Sequence, residues 1–343
     1  MALTKVSNWM LVQRDKPVNH NVIINPSFTV FQRAGTTLSG DWGVDHDNVI
    51  GYGPDRWSIR GIEGSRGTLA QSSTDSTTGI NKLVVKHDGA TSNGCASQRK
   101  ETANLLGLYG KEITISFSYS DVGGSGVPEV MLKGWDSKNG GKTLFYDPPT
   151  PLGNNRWSKT VTLTTADGTI PDLDKKGLQI NIYPNSLGEV PNTSIGPAPN
   201  EWSIWEVKLE LGAVATPFID RSPGEELALC QRYYYQRDYN INNYQPIKFP
   251  CWNNSVAAMT GEFVHPVPMR ANPSVSNNGV GNFRVNTSQG NDEPCIGIQV
   301  MGTNKNETFL SFEKSTQDLI IGQCGYISTQ ENNGAALYFD AEI

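Results

Sequence analysis

Residues 201–235, EWSIWEVKLELGAVATPFIDRSPGEELALCQRYYY, decide the fold. Trp205, Val207, Leu209 and Leu211 alternate with Glu206, Lys208 and Glu210, the period of two shown by a strand with one buried face. That strand is expected to stop at Gly212. Thr216-Pro217 then imposes an extended exit, because the proline ring disfavours the helical conformation in the residue before it. Ser222-Pro223-Gly224-Glu225 reads as a helix start, with Ser at N-cap, Pro at N1 and Glu at N3. A short helix through Leu227, Leu229 and Cys230 follows. One domain therefore closes here and another opens, with the boundary expected between Leu211 and Ser222.

Upstream, turn residues punctuate a succession of predicted strands at 22–24, 28–33, 56–61, 83–87, 113–119, 129–135, 143–147, 159–164, 178–183 and 202–211. Ile113, Ile115, Phe117 and Tyr119 alternate with Thr114, Ser116 and Ser118, which puts one face on a core and the other in water. Asn139-Gly140-Gly141 supplies the positive φ that a tight hairpin needs. This spacing predicts two stacked antiparallel sheets, a jelly roll. Downstream come Tyr233, Tyr234, Tyr235 and Tyr239, then predicted strands at 256–263, 274–275, 283–285, 296–301, 308–312, 319–321 and 335–342. The chain is thus all-β: a jelly-roll β-sandwich over 21–221, then a short helix and a second, smaller β domain over 222–343.

Composition agrees. Thirty-five Gly and twenty Pro fit many short strands joined by turns. A net charge of −6 gives no basic field for phosphates, so nucleic acid is not an expected partner. No window approaches the ~20 apolar residues of a membrane span, and none is expected to insert. The five Cys form no Cys-x-x-Cys pair, which argues for buried thiols rather than a zinc site or a disulfide framework. The opening Met-Ala-Leu-Thr-Lys lacks the apolar stretch of a secretory signal, consistent with folding in a reducing cytoplasm.

Tests for catalysis are negative at the sequence level. The four His are scattered, and Val44-Asp45-His46-Asp47-Asn48, the one local cluster of ligand types, reads as a solvated loop. Gly64-Ser65-Arg66-Gly67 and Gly124-Ser125-Gly126 lack the spacing of a nucleophile elbow. Gly140-Gly141-Lys142-Thr143 ends like a phosphate loop but sits between strands. No metal, cofactor or catalytic residue is assigned. Aromatic side chains remain, because sugar rings present apolar C–H faces to a flat π-surface. Trp57, Trp157 and Trp205 fall in strand patterns. Trp42, Trp135 and Trp252 stand beside Gly or Asn in expected loops and are the candidate glycan contacts.

Residues 1–20 stand apart, with Leu3, Val6, Trp9, Met10 and Leu11 apolar in a segment too short to make a core. The order strand, Lys-Leu-Glu-Leu-Gly, Ala-Thr-Pro-Phe, Arg-Ser, Glu-Leu-Ala-Leu-Cys-Gln-Arg-Tyr-Tyr-Tyr resembles a junction of bacteriophage tail-fibre and related virion fibre proteins. There it joins a carbohydrate-binding-module-like jelly roll to a C-terminal domain. Asn21–Arg33, Tyr52–Trp57 and Tyr338–Ile343 share the resemblance, while about 100–200 matches only in strand pattern.

The resemblance implies a non-catalytic fibre or adhesin subunit of a tailed-phage virion, made in the host cytoplasm. It would be attached through residues 1–20 to other virion proteins, form a homotrimer and contact host surface polysaccharide. A C-terminal domain of about a hundred residues buries only part of its surface alone, so Tyr233, Tyr234, Tyr235 and Tyr239 are the expected aromatic surplus at a subunit interface. The rival readings are a phage polysaccharide depolymerase, which would be expected to show β-helix repeats, and a free bacterial glycan-binding module.

Overall fold

A computed structural model describes residues 20–33, 37–42, 51–61, 65–74, 79–87, 94–122, 126–135, 141–165, 170, 172, 176–184, 201–239, 246–287, 292–329 and 335–342. The predicted anchor residues Leu3, Val6, Trp9, Met10 and Leu11 and the 44–48 cluster lie outside them. The chain forms two compact units, residues 1–226 with 343, and residues 227–342.

The first unit contains β1 (Thr37–Trp42), β2 (Gly51–Tyr52), β3 (Ser58–Gly61), β4 (Ser65–Thr74), β5 (Asn81–His87), β6 (Gly94–Glu101) and β7 (Glu112–Asp121). It continues with β8 (Glu129–Trp135), β9 (Gly141–Asp147), β10 (Thr150–Gly153), β11 (Arg156–Thr162), β12 (Lys176–Tyr183) and β13 (Glu201–Leu211). One seven-stranded sheet runs β1-β4-β5-β13-β7-β11-β10 and a six-stranded sheet runs β2-β3-β6-β12-β8-β9. Successive strands cross repeatedly between the sheets, the wiring of a jelly-roll sandwich. Ile113, Ile115, Phe117, Val130, Leu132, Leu178, Ile180, Ile182, Trp202 and Ile204 fill the space between them. β8 and β9 pair antiparallel, as the Asn-Gly signal requires; the turn residues 136–140 lie outside the described ones.

Several local expectations are corrected. Segments 22–24 and 28–33 form no strand but an arm, because Asn25 and Phe28 hold positive φ of 54° and 51° and break the extended run. The arm is held by partners distant in sequence. Val22 N–H donates to Leu209 O at 2.8 Å, and Gln98 closes a two-way pair with the Ile24 backbone at 3.0 and 2.7 Å. The Trp57 indole N–H donates to Asn25 O at 2.9 Å, and its ring packs 5.1 Å from that of Phe28. Lys100 lies fully buried nearby. Burial, reinforced by Arg56 and Arg221, holds its pKa well below the ordinary lysine range.

β13 is a strand as predicted, but its faces change phase. Glu206 has φ 51° and the register slips between Trp205 and Lys208, a bulge that moves later side chains to the opposite face. Trp202 and Ile204, then Val207 and Leu209, therefore meet the core, while Leu211 is exposed. The other face is not in water either. Lys208 and Glu210 are 1% and 0% exposed and pair at 3.1 Å. Glu210 accepts from the Thr216 N–H at 2.8 Å, and Lys208 donates to Pro217 O at 3.1 Å, so the segment after the strand covers this pair. Thr114, Ser116 and Ser118, expected in water, are likewise buried, with Arg156 donating to Ser116 Oγ at 2.8 Å.

β13 ends before Gly212, whose φ of 111° a side chain would resist. Helix α1 (Pro223–Gln231) starts where the capping pattern places it. Ser222 N–H donates to Glu225 Oε2 at 3.1 Å, and the Glu225 N–H returns to Ser222 Oγ at 3.3 Å. The hydrogen bonds from Ser222 hold the Glu225 carboxyl below its usual pKa. The boundary between units falls inside this helix, after Glu226, rather than ahead of it. Glu226 is buried in the first unit, accepting the Asn25 N–H at 2.5 Å and Arg221 at 2.8 Å.

The second unit contains β14 (Tyr234–Tyr239), β15 (Pro246–Asn253), β16 (Ala258–Val264), β17 (Ser274–Asn277) and β18 (Phe283–Thr287). It ends with β19 (Asp292–Pro294), β20 (Gly297–Thr303), β21 (Glu307–Glu313), β22 (Cys324–Thr329) and β23 (Ala335–Asp340). A three-stranded sheet β14-β23-β17 accompanies a seven-stranded sheet β19-β18-β22-β15-β16-β21-β20. Segment 319–321 is not the predicted strand. It lies in a loop whose Leu319 N–H donates to Val256 O at 2.9 Å.

Tyr233, Tyr234 and Tyr235 are 0%, 6% and 2% exposed, so these three do not form an exposed aromatic surplus. Tyr235 stacks on Phe339 with centroids 4.5 Å apart, because β14 pairs with β23 and gives the ring a core of its own. Tyr239 ends β14, and its side chain is outside the described residues.

His265 is buried against Tyr235 and Phe339 at 5.6 and 5.7 Å. Its Nδ1–H donates to Lys305 O at 3.0 Å, which leaves Nε2 to accept from Thr308 Oγ1, also at 3.0 Å. Burial, with a smaller contribution from Arg237, lowers its pKa against the opposing Lys305 hydrogen bond and Glu307. The folded pKa thus lies below the unfolded ~6.5, so the neutral ring stabilises this unit above that pH and the contribution is lost as pH falls through the folded value. In calorimetry, the melting temperature of the second unit is expected to fall by several degrees between about pH 7 and about pH 5. His265→Gln should flatten that slope, and an unchanged slope in the variant would refute the assignment to His265.

Candidate functional site

The seven-stranded sheet of the second unit presents an aromatic outer face. Residues paired directly across antiparallel strands share a face. The registers therefore align Cys324, Trp252, Thr260, Ser311 and Gln299 in one row across β22, β15, β16, β21 and β20. Tyr326, two residues beyond Cys324, points to the same side. The opposite face carries Met259, Phe263, Leu310, Phe312 and Ile327, which form this unit's core.

Trp252 and Tyr326 are 40% and 44% exposed, although side chains this large and apolar are normally buried. They stand diagonally on neighbouring strands, a separation of roughly 7–8 Å that aromatic side chains can bridge. Beside Trp252, Thr260 is buried and its hydroxyl makes no hydrogen bond among the described residues. Such a group costs about 1–3 kcal/mol unless something satisfies it. Ile320 and Ile321 are exposed in the loop that Asn253 Nδ2 holds by donating to Ile320 O at 2.9 Å. The surface at this end of β15 is therefore flat, aromatic and apolar, with hydroxyl and amide groups along the row.

Of the three tryptophans expected in loops, Trp252 lies within a strand and is exposed. Trp42 and Trp135 are the last residues of β1 and β8, with side chains outside the described residues. The neighbouring Gly or Asn thus marks a strand end in each case; Trp42 and Trp135 belong to different sheets of the first unit, and Trp252 to the second unit. Tyr326 is not among the sequence candidates, although Cys324, Tyr326 and Ser328 alternate with Gly325 and Ile327 in the manner of a half-exposed strand.

Two other polar regions bear on chemistry. Glu262 and Glu307 on the same outer face share a hydrogen bond, which raises the Glu262 pKa. Carboxyls in direct contact are closer than the ~5 Å at which a glycosidic acid and nucleophile straddle a bond, so this pair does not fit that reaction. In the first unit, the outer side of the six-stranded sheet carries Ser97 opposite Asn181. Ser97 Oγ and Asn181 Nδ2 are buried and make no hydrogen bond among the described residues. No group of three or more His, Cys, Asp or Glu among the described residues could hold a metal ion. No helix there is long and apolar enough to cross a membrane.

No protein-family model matches the chain, and no curated protein does. Among solved structures, the enzymatically active domain of bacteriophage CBA120 tailspike protein 4 aligns at 10% identity and TM-score 0.30, over 56% of this chain and 21% of that one. The match thus spans about a fifth of the length of that tailspike domain. The C-terminal family 22 carbohydrate-binding module of Clostridium thermocellum Xyn10B aligns at 12% identity and TM-score 0.29, over 47% of this chain and 89% of the module. A tandem pair of such modules from Paenibacillus barcinonensis Xyn10C aligns at 13% identity and TM-score 0.25, over 89% of this chain and 97% of that one. The jelly-roll assignment rests on strand order and register.

Proposed function

We propose that this chain is a non-catalytic fibre or adhesin subunit of a tailed-phage virion, and that Trp252 and Tyr326 contact the sugar rings of a host surface polysaccharide. The chain would join other virion proteins through residues 1–20 and assemble as a homotrimer. The fibre reading is supported by the resemblance of the 201–235 junction to phage fibre proteins. The single observation that supports the glycan reading is the exposed pair on one sheet face, Trp252 and Tyr326. Two rings offer stacking area to the apolar faces of sugar rings.

Binding to a panel of immobilised bacterial surface polysaccharides is expected for the full chain. Trp252→Ala is expected to weaken binding about 30-fold, the effect of removing an aromatic that carries ~2 kcal/mol, with both thermal transitions unchanged. Unaltered affinity in that variant would place the glycan site elsewhere. A reducing-sugar assay on the bound polysaccharide separates the rival: release of new ends would replace the adhesin reading by a depolymerase. Mass spectrometry of purified virions tests the virion assignment itself.

A further inference from the structure

We infer that the arm over residues 21–33 opens in step with proton uptake by Lys100, the buried lysine beside its Gln98 fastening, so that the arm leaves β6 more readily as pH falls. The inference concerns the first unit alone and does not depend on the fibre reading. Lys100 is 1% exposed, on the side of β6 that also carries Gln98. Its Nζ lies 3.4 Å from Gln98 Oε1, the same atom that accepts the Ile24 N–H at 3.0 Å. The lysine and the arm therefore share one acceptor.

Four charged groups act on Lys100: Glu101 beside it on β6, Arg56 just before β3, Arg221 just before α1, and Glu226 in the first turn of α1. Two of them also clamp the arm. Arg221 donates to Ile23 O at 2.9 Å and to Asn21 O, and Glu226 accepts the Asn25 N–H at 2.5 Å. While the arm is closed, burial and the cations Arg56 and Arg221 oppose a proton on Lys100 more than Glu101 and Glu226 favour it. Once the arm lifts and water enters, the amine regains the ordinary lysine value of ~10.4. Opening thus takes up a proton wherever the pH lies between that value and the lower closed one. It grows by up to about tenfold for each unit that the pH falls across this window, and levels off below the closed value. Asp55, which accepts the Gln32 N–H of the arm at 3.0 Å, works in the opposite sense, because burial raises its pKa.

Hydrogen exchange of the full chain between about pH 7 and about pH 9 tests this, read by mass spectrometry on peptides within the arm and corrected for the intrinsic pH dependence of exchange. Arm amides are expected to be less protected than those of β7. Their protection should fall at least ~10-fold from the upper pH to the lower, where one proton allows at most ~100-fold. Lys100→Met keeps the volume without the titrating group, and should hold arm protection within about twofold across the range. Should that variant fail to fold, Lys100→Gln is expected to do the same. Arm protection independent of pH in the wild type overturns the inference without any variant. A folded Lys100 variant that keeps the wild-type slope overturns it as well, because the slope then belongs to another group. Equal protection and equal slope in the arm and in β7 would mean that the whole unit unfolds rather than the arm, and this too overturns it.

Discussion

Asn25→Ala is expected to lower the melting temperature of the first unit by about 10 °C, through a loss of about 4 kcal/mol. The Asn25 amide donates to Val30 O at 2.9 Å and Asp55 O at 3.1 Å, and its carbonyl accepts from the Thr29 and Val30 N–H groups at 2.9 and 3.1 Å. Alanine removes all four contacts from a site that is 0% exposed. Each buried polar group left without a partner costs about 1–3 kcal/mol. Alanine must also hold φ near 54°, where Asn is tolerated and most residues lose about 1 kcal/mol. Asn25→Gly removes that last strain but restores no hydrogen bond, so it should recover only about 1 kcal/mol. Calorimetry of both variants decides the matter. A shift below about 3 °C in the alanine variant would show that the arm is not fastened through this side chain.

Lys208→Met is expected to destabilise the first unit by about 3 kcal/mol, because it removes the lysine paired with the buried Glu210 carboxyl. Glu210 is 0% exposed and would keep its hydrogen bonds from Thr216 and the attraction of Arg156. Adding Glu210→Gln should return about half of the loss, since a neutral amide can keep an acceptor on Thr216 without a charge to solvate. Urea midpoints of the two variants measure the difference. If the double variant is no more stable than Lys208→Met alone, the cost lies in packing around the methionine and the buried-charge account fails.

Where the controlling chemistry is local, the sequence announces it. Helix α1 starts at Pro223 because Ser222 and Glu225 satisfy each other's backbone within a few residues. β7 is legible because Ile113, Ile115, Phe117 and Tyr119 all meet one core. The phase of β13 was hidden because a single extra residue at Glu206 exchanges the two faces, and nothing in EWSIWEVKLEL marks it. The arm was hidden for a different reason. Asn25 gains its conformation from Val30, Asp55 and Glu226, and the last of these lies far along the chain.

β6 escaped because GCASQRKE has no apolar alternation, yet Ser97, Gln98, Lys100 and Glu101 are all buried. The number of tyrosines points the wrong way: a small domain is expected to lack room for Tyr233–Tyr235, but the three-stranded sheet supplies it. At the candidate site, Trp252 was legible by chemical type and not by setting. Tyr326 becomes a candidate only once the register places it beside Trp252.

The row that holds Trp252 also holds a thiol. Four cysteines are buried, and burial pushes the Cys251 and Cys295 thiols up to about 12 and about 11, while Cys324 is exposed directly across from Trp252. Thiol reagents act on accessible thiolate, so one maleimide fluorophore can be placed beside the aromatic pair without engineering out any other cysteine. A saccharide settling on Trp252 would exclude water next to the dye, and arrival and departure could be timed in the native sequence by stopped flow.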